Sequence, residues 1–350
     1  MNVLLVTDKL TTGGAEVYFC KLENALNHEN ITTFTAAGEG ELYDQLRDKK
    51  RHILLSKRNV FYNLRIIYNM IRHNQIQLVH ANSLRAVLLL ILLKIITLQH
   101  FTIFYTKHNV TLLEKKLPFV FSFLINTWVK RVITVSDFEK DNLIALGIHE
   151  NKITTIYNGV DLEQFLYQEK QPSTRFKVGI LARLSEEKNH SLFLDVAHAF
   201  KDNSRFLFYI AGDGPDYQKV LQKIRFLGLQ ERVQLLGNVE HPELFIRDMD
   251  VLLLTSKREV FPMVVIEAMA VGTPIITINK GGIPEAVIHK QTGLLMQEHS
   301  IEEFCSTLVE LDSKAELQKV IIKEARRKVV TDFSLDKMIK ETTNEYLKYG

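Results

Sequence analysis

Two glutamates, Glu259 and Glu267, stand with seven residues between them in TSKREVFPMVVIEAMAVG, residues 255–272, and two cations, Arg183 and Lys188, stand in an earlier loop. A carboxylate pair of this kind binds hydroxyls. An arginine and a lysine together suit a diphosphate, the guanidinium through paired hydrogen bonds and the ammonium as a point charge. Pro262 sits where a helix would begin, because the first turn tolerates a residue without an N–H. The free N–H groups and dipole of such a helix end attract anions. Elsewhere, Gly13-Gly14 forms a glycine turn before a helix, Gly237 ends an apolar run where backbone groups could edge a flat ring, and His108 closes another apolar run. A nucleotide carrying a diphosphate and polyhydroxy groups would use the whole set. Each signal alone has an ordinary reading: paired glycines make turns, strand-end cations are solvated, and a single loop histidine has no role.

These residues need elements that bring them together, and the hydrophobic pattern supplies them. Val3–Val6 is a short apolar strand running into the glycine turn and a helix patterned by Val17, Phe19, Leu22 and Leu26. Strands and helices then alternate: strands near 31–36, 52–55, 77–81, 102–106, 132–135 and 153–156, and helices near 41–49, 60–72, 84–96, 115–131 and 136–146. Phe176–Ala182 restarts the alternation, which continues to three closing helical segments. Such alternation predicts parallel sheets covered on both faces, with ligands bound beyond the carboxyl ends of the strands. His108, Arg183 and Glu259 all follow predicted strands. The expected architecture is α/β, two Rossmann-like doubly wound domains facing across a cleft. The polar stretch 168–174 places the boundary, giving a first domain over 1–160 and a second from 161 onward.

Bulk composition excludes several classes. A 46% hydrophobic and 24% charged chain is that of a soluble globular protein. Cys20 and Cys305 match no metal or redox spacing and are expected to be reduced and buried. The longest apolar run, Ala86–Leu98, contains Lys94 and is too short to span a membrane. MNVLLVTD reads as a first strand with no signal peptide, so the expected compartment is the cytoplasm. Residues 1–160 hold 19 Lys and Arg against 13 Asp and Glu, and within 45–116 the balance is 13 against Asp48 and Glu114 alone. Solvated helix faces explain this as well as attraction to an anionic membrane or a phosphate-bearing acceptor does. Residues 115–131 read as an ordinary buried helix. The alternative is an interfacial helix with Trp128 and the flanking cations at headgroup level. Nothing suggests a nucleic-acid partner.

The motifs GGAE at 13–16, NGVD at 158–161, GDGP at 212–215, GGIPE at 281–285 and TGLL at 292–295 resemble, in order and spacing, the retaining glycosyltransferases of family 4, which have the GT-B fold. The Arg183…Lys188-Asn189 segment and the Glu259/Glu267 pair complete the resemblance, which covers nearly the whole chain and is densest over 176–296. It implies that Arg183 and Lys188 bind the diphosphate and stabilise it as it leaves. Glu259 would hold the donor sugar's hydroxyls, Glu267 the ribose, and His108 would lie beside the transferred sugar. Gly13 and Gly14 would contact the donor phosphates or shape the acceptor entrance. Main-chain groups at Phe261, Pro262 and Met263 would touch sugar or phosphate. The terminal helix of such folds crosses back, which implies 1–160 plus 335–350 as one domain and 161–334 as the other.

The activity implied is transfer of a hexose or N-acetylhexosamine from a nucleotide-diphosphate sugar, UDP-linked, to a lipid-linked or polysaccharide acceptor, with no metal and no other cofactor. The anomeric configuration would be retained by front-face attack, so Glu259 positions and is not a glycosidase-type nucleophile. The alternatives are a non-catalytic binding or coat protein of the same fold, or a sugar-nucleotide epimerase. Val260 stands where the family usually has glycine. Since valine disfavours φ > 0, either that loop does not need the conformation or sugar placement is altered.

Overall fold

The alternating pattern folds into two parallel sheets, each with helices on both faces. The computed structural model describes residues 1–11, 13–170 and 173–349. Thr12, Gln171, Pro172 and Gly350 lie outside the described residues. The first sheet is built from β1 (Asn2–Val6), β2 (Thr32–Ala37), β3 (His52–Leu54), β4 (Leu78–Ala81), β5 (Thr102–Lys107), β6 (Arg131–Thr134) and β7 (Ile153–Thr155), joined by α1 (Gly14–Ala25), α2 (Val60–His73), α3 (Leu84–Thr97), α4 (Leu112–Lys116), α5 (Pro118–Trp128) and α6 (Asp137–Ala145). The second sheet is built from β8 (Phe176–Leu181), β9 (Phe206–Ala211), β10 (Val233–Gly237), β11 (Val251–Leu254), β12 (Ile275–Ile278) and β13 (Leu294–Met296). Its helices are α7 (His190–Ala199), α8 (Tyr217–Phe226), α9 (Pro242–Asp248), α10 (Met263–Val271), α11 (Ile283–Ala286), α12 (Ile301–Ser313) and α13 (Ala315–Asp332). The chain closes with α14 (Leu335–Tyr349).

Strand order is β3-β2-β1-β4-β5-β6-β7 in the first sheet and β10-β9-β8-β11-β12-β13 in the second. Every strand pair is parallel, as helical crossovers require. Central strands are apolar on both faces because both are covered: Val3, Leu4, Leu5 and Val6 are wholly buried, as are Val178 and Ile180. Contacts divide the chain into two units, Met1–Gly159 with Leu335–Gly350, and Val160–Ser334. The last helix joins the first unit because Met338 and Tyr346 complete a core with Tyr18, Phe19 and Phe104.

Local chemistry sets several element ends differently from the periodicity. The helix expected at 41–49 is two 3-10 turns, Glu41–Gln45 and Lys49–Arg51, interrupted where the Asp48 carboxylate accepts from Lys50 N. The single helix expected over 115–131 is α4 and α5, broken at Leu117, whose φ −138° and ψ 60° lie outside the helical region that a following proline disfavours. It is not the buried helix expected: Phe121 and Ile125 enter the core, while Phe119 is 80% exposed. Both cysteines are free, Cys20 buried and Cys305 half-buried.

Candidate functional site

The second sheet changes direction between β8 and β11, and ligands of doubly wound sheets lie beyond the strand ends at such a point. Three loops converge there on residues 255–261. The segment after β8 makes a 3-10 turn over Glu186–Lys188 and ends at Asn189, in the left-handed region at φ 53°. The Thr255 hydroxyl bonds both the Lys188 and Asn189 carbonyls, at 3.0 and 3.1 Å. Lys257 N bonds the Glu187 carbonyl at 2.8 Å. Through this stitching Lys188 Nζ reaches Glu259 Oε1 at 2.6 Å, with the lysine 24% and the glutamate 9% exposed. The third loop, after β12, backs the glutamate. Gly281 lies at φ 60°, and a Cβ there would land on the Glu259 carbonyl oxygen. Gly282 N bonds the Val260 carbonyl at 3.0 Å.

Val260 has no positive φ, so the loop holds Glu259 without the left-handed conformation that glycine would offer at the next position. Pro262, at φ −76° and ψ 127°, is the N-cap of α10 rather than its first helical residue. Val265 N bonds the Pro262 carbonyl at 3.2 Å, which leaves the N–H groups of Met263 and Val264 at the helix start without the partner that a preceding turn would supply. Phe261 is buried against Phe333, its ring centroid 5.3 Å away, which fixes the turn into α10. Glu267 lies one turn further, on the second turn of α10 and half-buried.

Arg183 follows β8 and is exposed, with no ion pair among the described residues. Its backbone is set by the loop after β9. Gly212, at φ 133°, sits so close to Ala182 that a Cβ would meet its carbonyl oxygen, and Leu184 exchanges bonds with Asp213 O and Asp216 N at 2.9 and 3.0 Å. Gly237 ends β10 at φ 70° and accepts from Gly212 N at 2.7 Å. Arg183, Lys188, Glu259, Glu267, Gly237 and residues 261–263 thus all occur at the carboxyl ends of strands of one sheet or on the helix that follows. Among the described residues no group of three His, Cys, Asp or Glu side chains is arranged to hold a metal ion.

In the first unit the direction changes between β1 and β4. Gly13 precedes α1 in extended backbone at φ −176°, and Gly14, the first residue of α1, has nothing within 4 Å of a built Cβ. His108 follows β5, and its Nε2 donates to Asn82 Oδ1 at 2.7 Å, since the Asn82 amide donates in turn to the Ala15 carbonyl at 2.6 Å. The ring packs edge-on to Tyr18 with centroids 4.7 Å apart. Desolvation, and then the charge of Lys107, push this imidazole down to about 3. It is neutral near pH 7, with Nδ1 the acceptor. His80, held between Tyr346 OH and Thr106 Oγ1, is pushed down to about 3 by burial as well.

Sequence reading missed what holds His108 in place. Lys107 is wholly buried, 3.1 Å from Glu114 and 2.5 Å from Glu139, and bonds the Asn109 carbonyl. One buried ammonium therefore ties the end of β5 to α4 and α6. Each glutamate sits three residues after an N-capping hydroxyl, Thr111 and Ser136, a signal readable as a cap but not as an ion pair. The Lys188–Glu259 pair was missed for the same reason: 71 residues separate the partners.

Residues 163–328 match the family model of glycosyl transferases group 1, and residues 12–164 match that of Glycosyltransferase Family 4. Similar proteins include the N-acetyl-alpha-D-glucosaminyl L-malate synthase of Bacillus anthracis, 28% identical over 55% of this chain and 53% of that protein. The phosphatidylinositol N-acetylglucosaminyltransferase GPI3 subunit of Saccharomyces cerevisiae is 30% identical over 73% of this chain and 59% of its own length. The chain thus spans little more than half the length of these relatives. Among solved structures, Anabaena HepE in complex with UDP and glucose superposes with a TM-score of 0.85 at 20% identity, covering 99% of this chain and 100% of that one. A Rickettsia africae glycosyltransferase superposes with 0.86 at 22%, covering 99% and 98%. The fold of the chain is that shared two-sheet α/β arrangement, GT-B.

Proposed function

The chain belongs to glycosyltransferase family 4, group 1, and from that premise we propose that it moves a sugar from a nucleotide-diphosphate sugar to a lipid-linked or polysaccharide acceptor, retaining the anomeric configuration. The observation that carries this reading is the Lys188–Glu259 pair at the turning point of the second sheet, with Arg183 beside it in sequence and α10 opening next to it. A bare carboxylate would repel a diphosphate. Paired with Lys188, Glu259 keeps oxygens able to accept from sugar hydroxyls while the local charge stays near zero. Arg183 and the N–H groups of α10 then supply the positive potential that a leaving diphosphate needs. Glu267, one turn further along α10, takes the ribose hydroxyls.

In the transfer step the bond between the anomeric carbon and the diphosphate oxygen breaks, and the acceptor oxygen bonds to that carbon on the same face. The acceptor proton passes to the departing phosphate oxygen, so no side chain acts as nucleophile. His108, neutral with Nδ1 an acceptor, can orient a sugar hydroxyl but cannot act as a general acid near pH 7. UDP and UDP-glucose occupy structures of the Anabaena relative, which favours a uridine donor, and the malate and phosphatidylinositol relatives favour an N-acetylglucosaminyl group.

The test is a thermal-shift screen over nucleotide sugars followed by detection of released nucleotide. A donor at 100 times its Kd stabilises by about 2.7 kcal/mol, a melting shift of roughly 5–10 °C for a unit of this size. Lys188→Ala should remove the shift and slow transfer by about 10²–10³-fold. Absence of a shift with every nucleotide refutes the reading.

A further inference from the structure

The helices over one face of the first sheet carry a disproportionate share of exposed apolar surface. Fourteen of the 26 large hydrophobic side chains exposed among the described residues fall between Val60 and Phe138, less than a quarter of the chain. Their most exposed group lies along α4 and α5. Leu112 is 73% exposed, Leu117 53%, Phe119 80% and Phe123 58%, and residues 115–120 are exposed without interruption. The geometry explains the projection. Pro118 ends α4 and starts α5, and the core takes Phe121, Ser122 and Ile125, which turns Phe119, Val120 and Phe123 outward.

Charge singles out the occupant. Lys115, Lys116 and Lys130 flank the apolar run and are exposed. The only acid from 112 to 136 is Glu114, which is buried against Lys107. The α4–α5 segment is therefore aromatic and cationic with no exposed carboxylate of its own; the nearest exposed acids in the chain, Asp137, Asp141 and Glu150, lie on or after α6. Lysine is depleted from the cores of protein interfaces, whereas aromatic side chains rimmed by lysines are the pattern of helices lying in an anionic headgroup layer. Among the described residues no helix is long and apolar enough to cross a membrane, so contact at this face is peripheral.

We propose that the α4–α5 face docks on an anionic lipid leaflet, seating Phe119 and Phe123 at the acyl boundary and Lys115, Lys116 and Lys130 among the headgroups. The seat is the N-terminal half of α5, not the Trp128 end, which packs against the core. The loop bearing His108 runs directly into α4, so docking carries that residue to the leaflet, which suits an acceptor anchored in lipid. Only this last point rests on the transfer reading.

Flotation of the full chain with vesicles tests it, without donor or acceptor present. Binding is expected to vesicles of phosphatidylcholine with phosphatidylglycerol, and to fall between about 0.1 and 0.5 M salt. Lys115→Gln with Lys116→Gln should lower partitioning about 30-fold, at roughly fivefold per charge. Phe119→Ser with Phe123→Ser should abolish it without moving the melting temperature. Phe226→Ser, changing a residue 88% exposed in the second unit, should leave it unchanged. Equal binding to neutral vesicles, salt-independent binding, or indifference to the α5 variants overturns the proposal. So does a dimer that Phe119→Ser splits in a chain that never floats, which would assign the face to a second copy. Nucleotide-induced stabilisation is read separately, so failure here leaves the transfer reading standing.

Discussion

Removing Lys188 should do two separable things, because its ammonium lies 2.6 Å from a carboxylate that is only 9% exposed. The first is structural. Lys188→Met leaves Glu259 charged and largely desolvated, and a hydrogen bond to a charged group contributes about 1.5–3 kcal/mol. Loss of a fully buried partner costs about 3–5 kcal/mol, and the lysine end here is 24% exposed, so roughly 2–3 kcal/mol is expected. In a unit of this size that is a melting decrease of about 5–10 °C. Glu259→Gln should cost less, since the freed ammonium can turn to water. The double variant should be more stable than the sum of the singles predicts, with a coupling of about 2 kcal/mol. The second effect is electrostatic. With Lys188 gone, Glu259 repels a diphosphate; with both gone, that repulsion disappears. UDP affinity, read by calorimetry, should therefore fall in Lys188→Met and partly recover in the double variant. Additive stabilities within about 0.5 kcal/mol, or a double variant that binds UDP no better than Lys188→Met, would refute the argument that the pair offsets the carboxylate's charge.

Gly281→Ala should lower both stability and nucleotide binding, because its Cβ meets the Glu259 carbonyl and φ is 60°, whereas Gly14→Ala, with open space around it, should leave the melting temperature unchanged. Lys107→Met strands two buried carboxylates and should cost about 3–5 kcal/mol in urea titrations; adding Glu114→Gln and Glu139→Gln should restore much of it. Acid should destabilise the first unit. His80 and His108 have folded values near 3 against 6.5 unfolded, so the stability of their neutral forms is present above pH 6.5 and is lost as pH falls towards 3. At pH 5 each costs about 2 kcal/mol, and a urea midpoint that is flat from pH 8 to pH 5 would contradict this.

The sequence by itself determined the strand–helix alternation, the restart at Phe176 and the strand-end positions of Arg183, Glu259 and His108. These depend on hydrophobic periods and on short glycine, proline and capping signals, which act over a few residues. It also carried the ordered set of motifs that the family models match over 12–164 and 163–328. The break at Leu117 was legible in principle, because Pro118 restricts its neighbour, yet the apolar pattern overrode it. Periodicity records which residues avoid water, not which of them find a neighbour, so it could not say that Phe119 and Phe123 would stay exposed.

Only the tertiary structure decided the pairings. Lys188 with Glu259, Lys107 with Glu114 and Glu139, and Gly281 against the Glu259 carbonyl join residues whose separation in the chain leaves no local trace. They depend on which strands become neighbours, β8 beside β11 and β11 beside β12 in the second sheet and β5 beside β6 for Lys107 and Glu139, and that order is set by how two layers of helices cover a twisted sheet. The fate of Val260 was decided in the same way. Its side chain argued for strain, but Gly281 and Gly282 take the close approach from the neighbouring loop, so the residue after Glu259 need not be glycine.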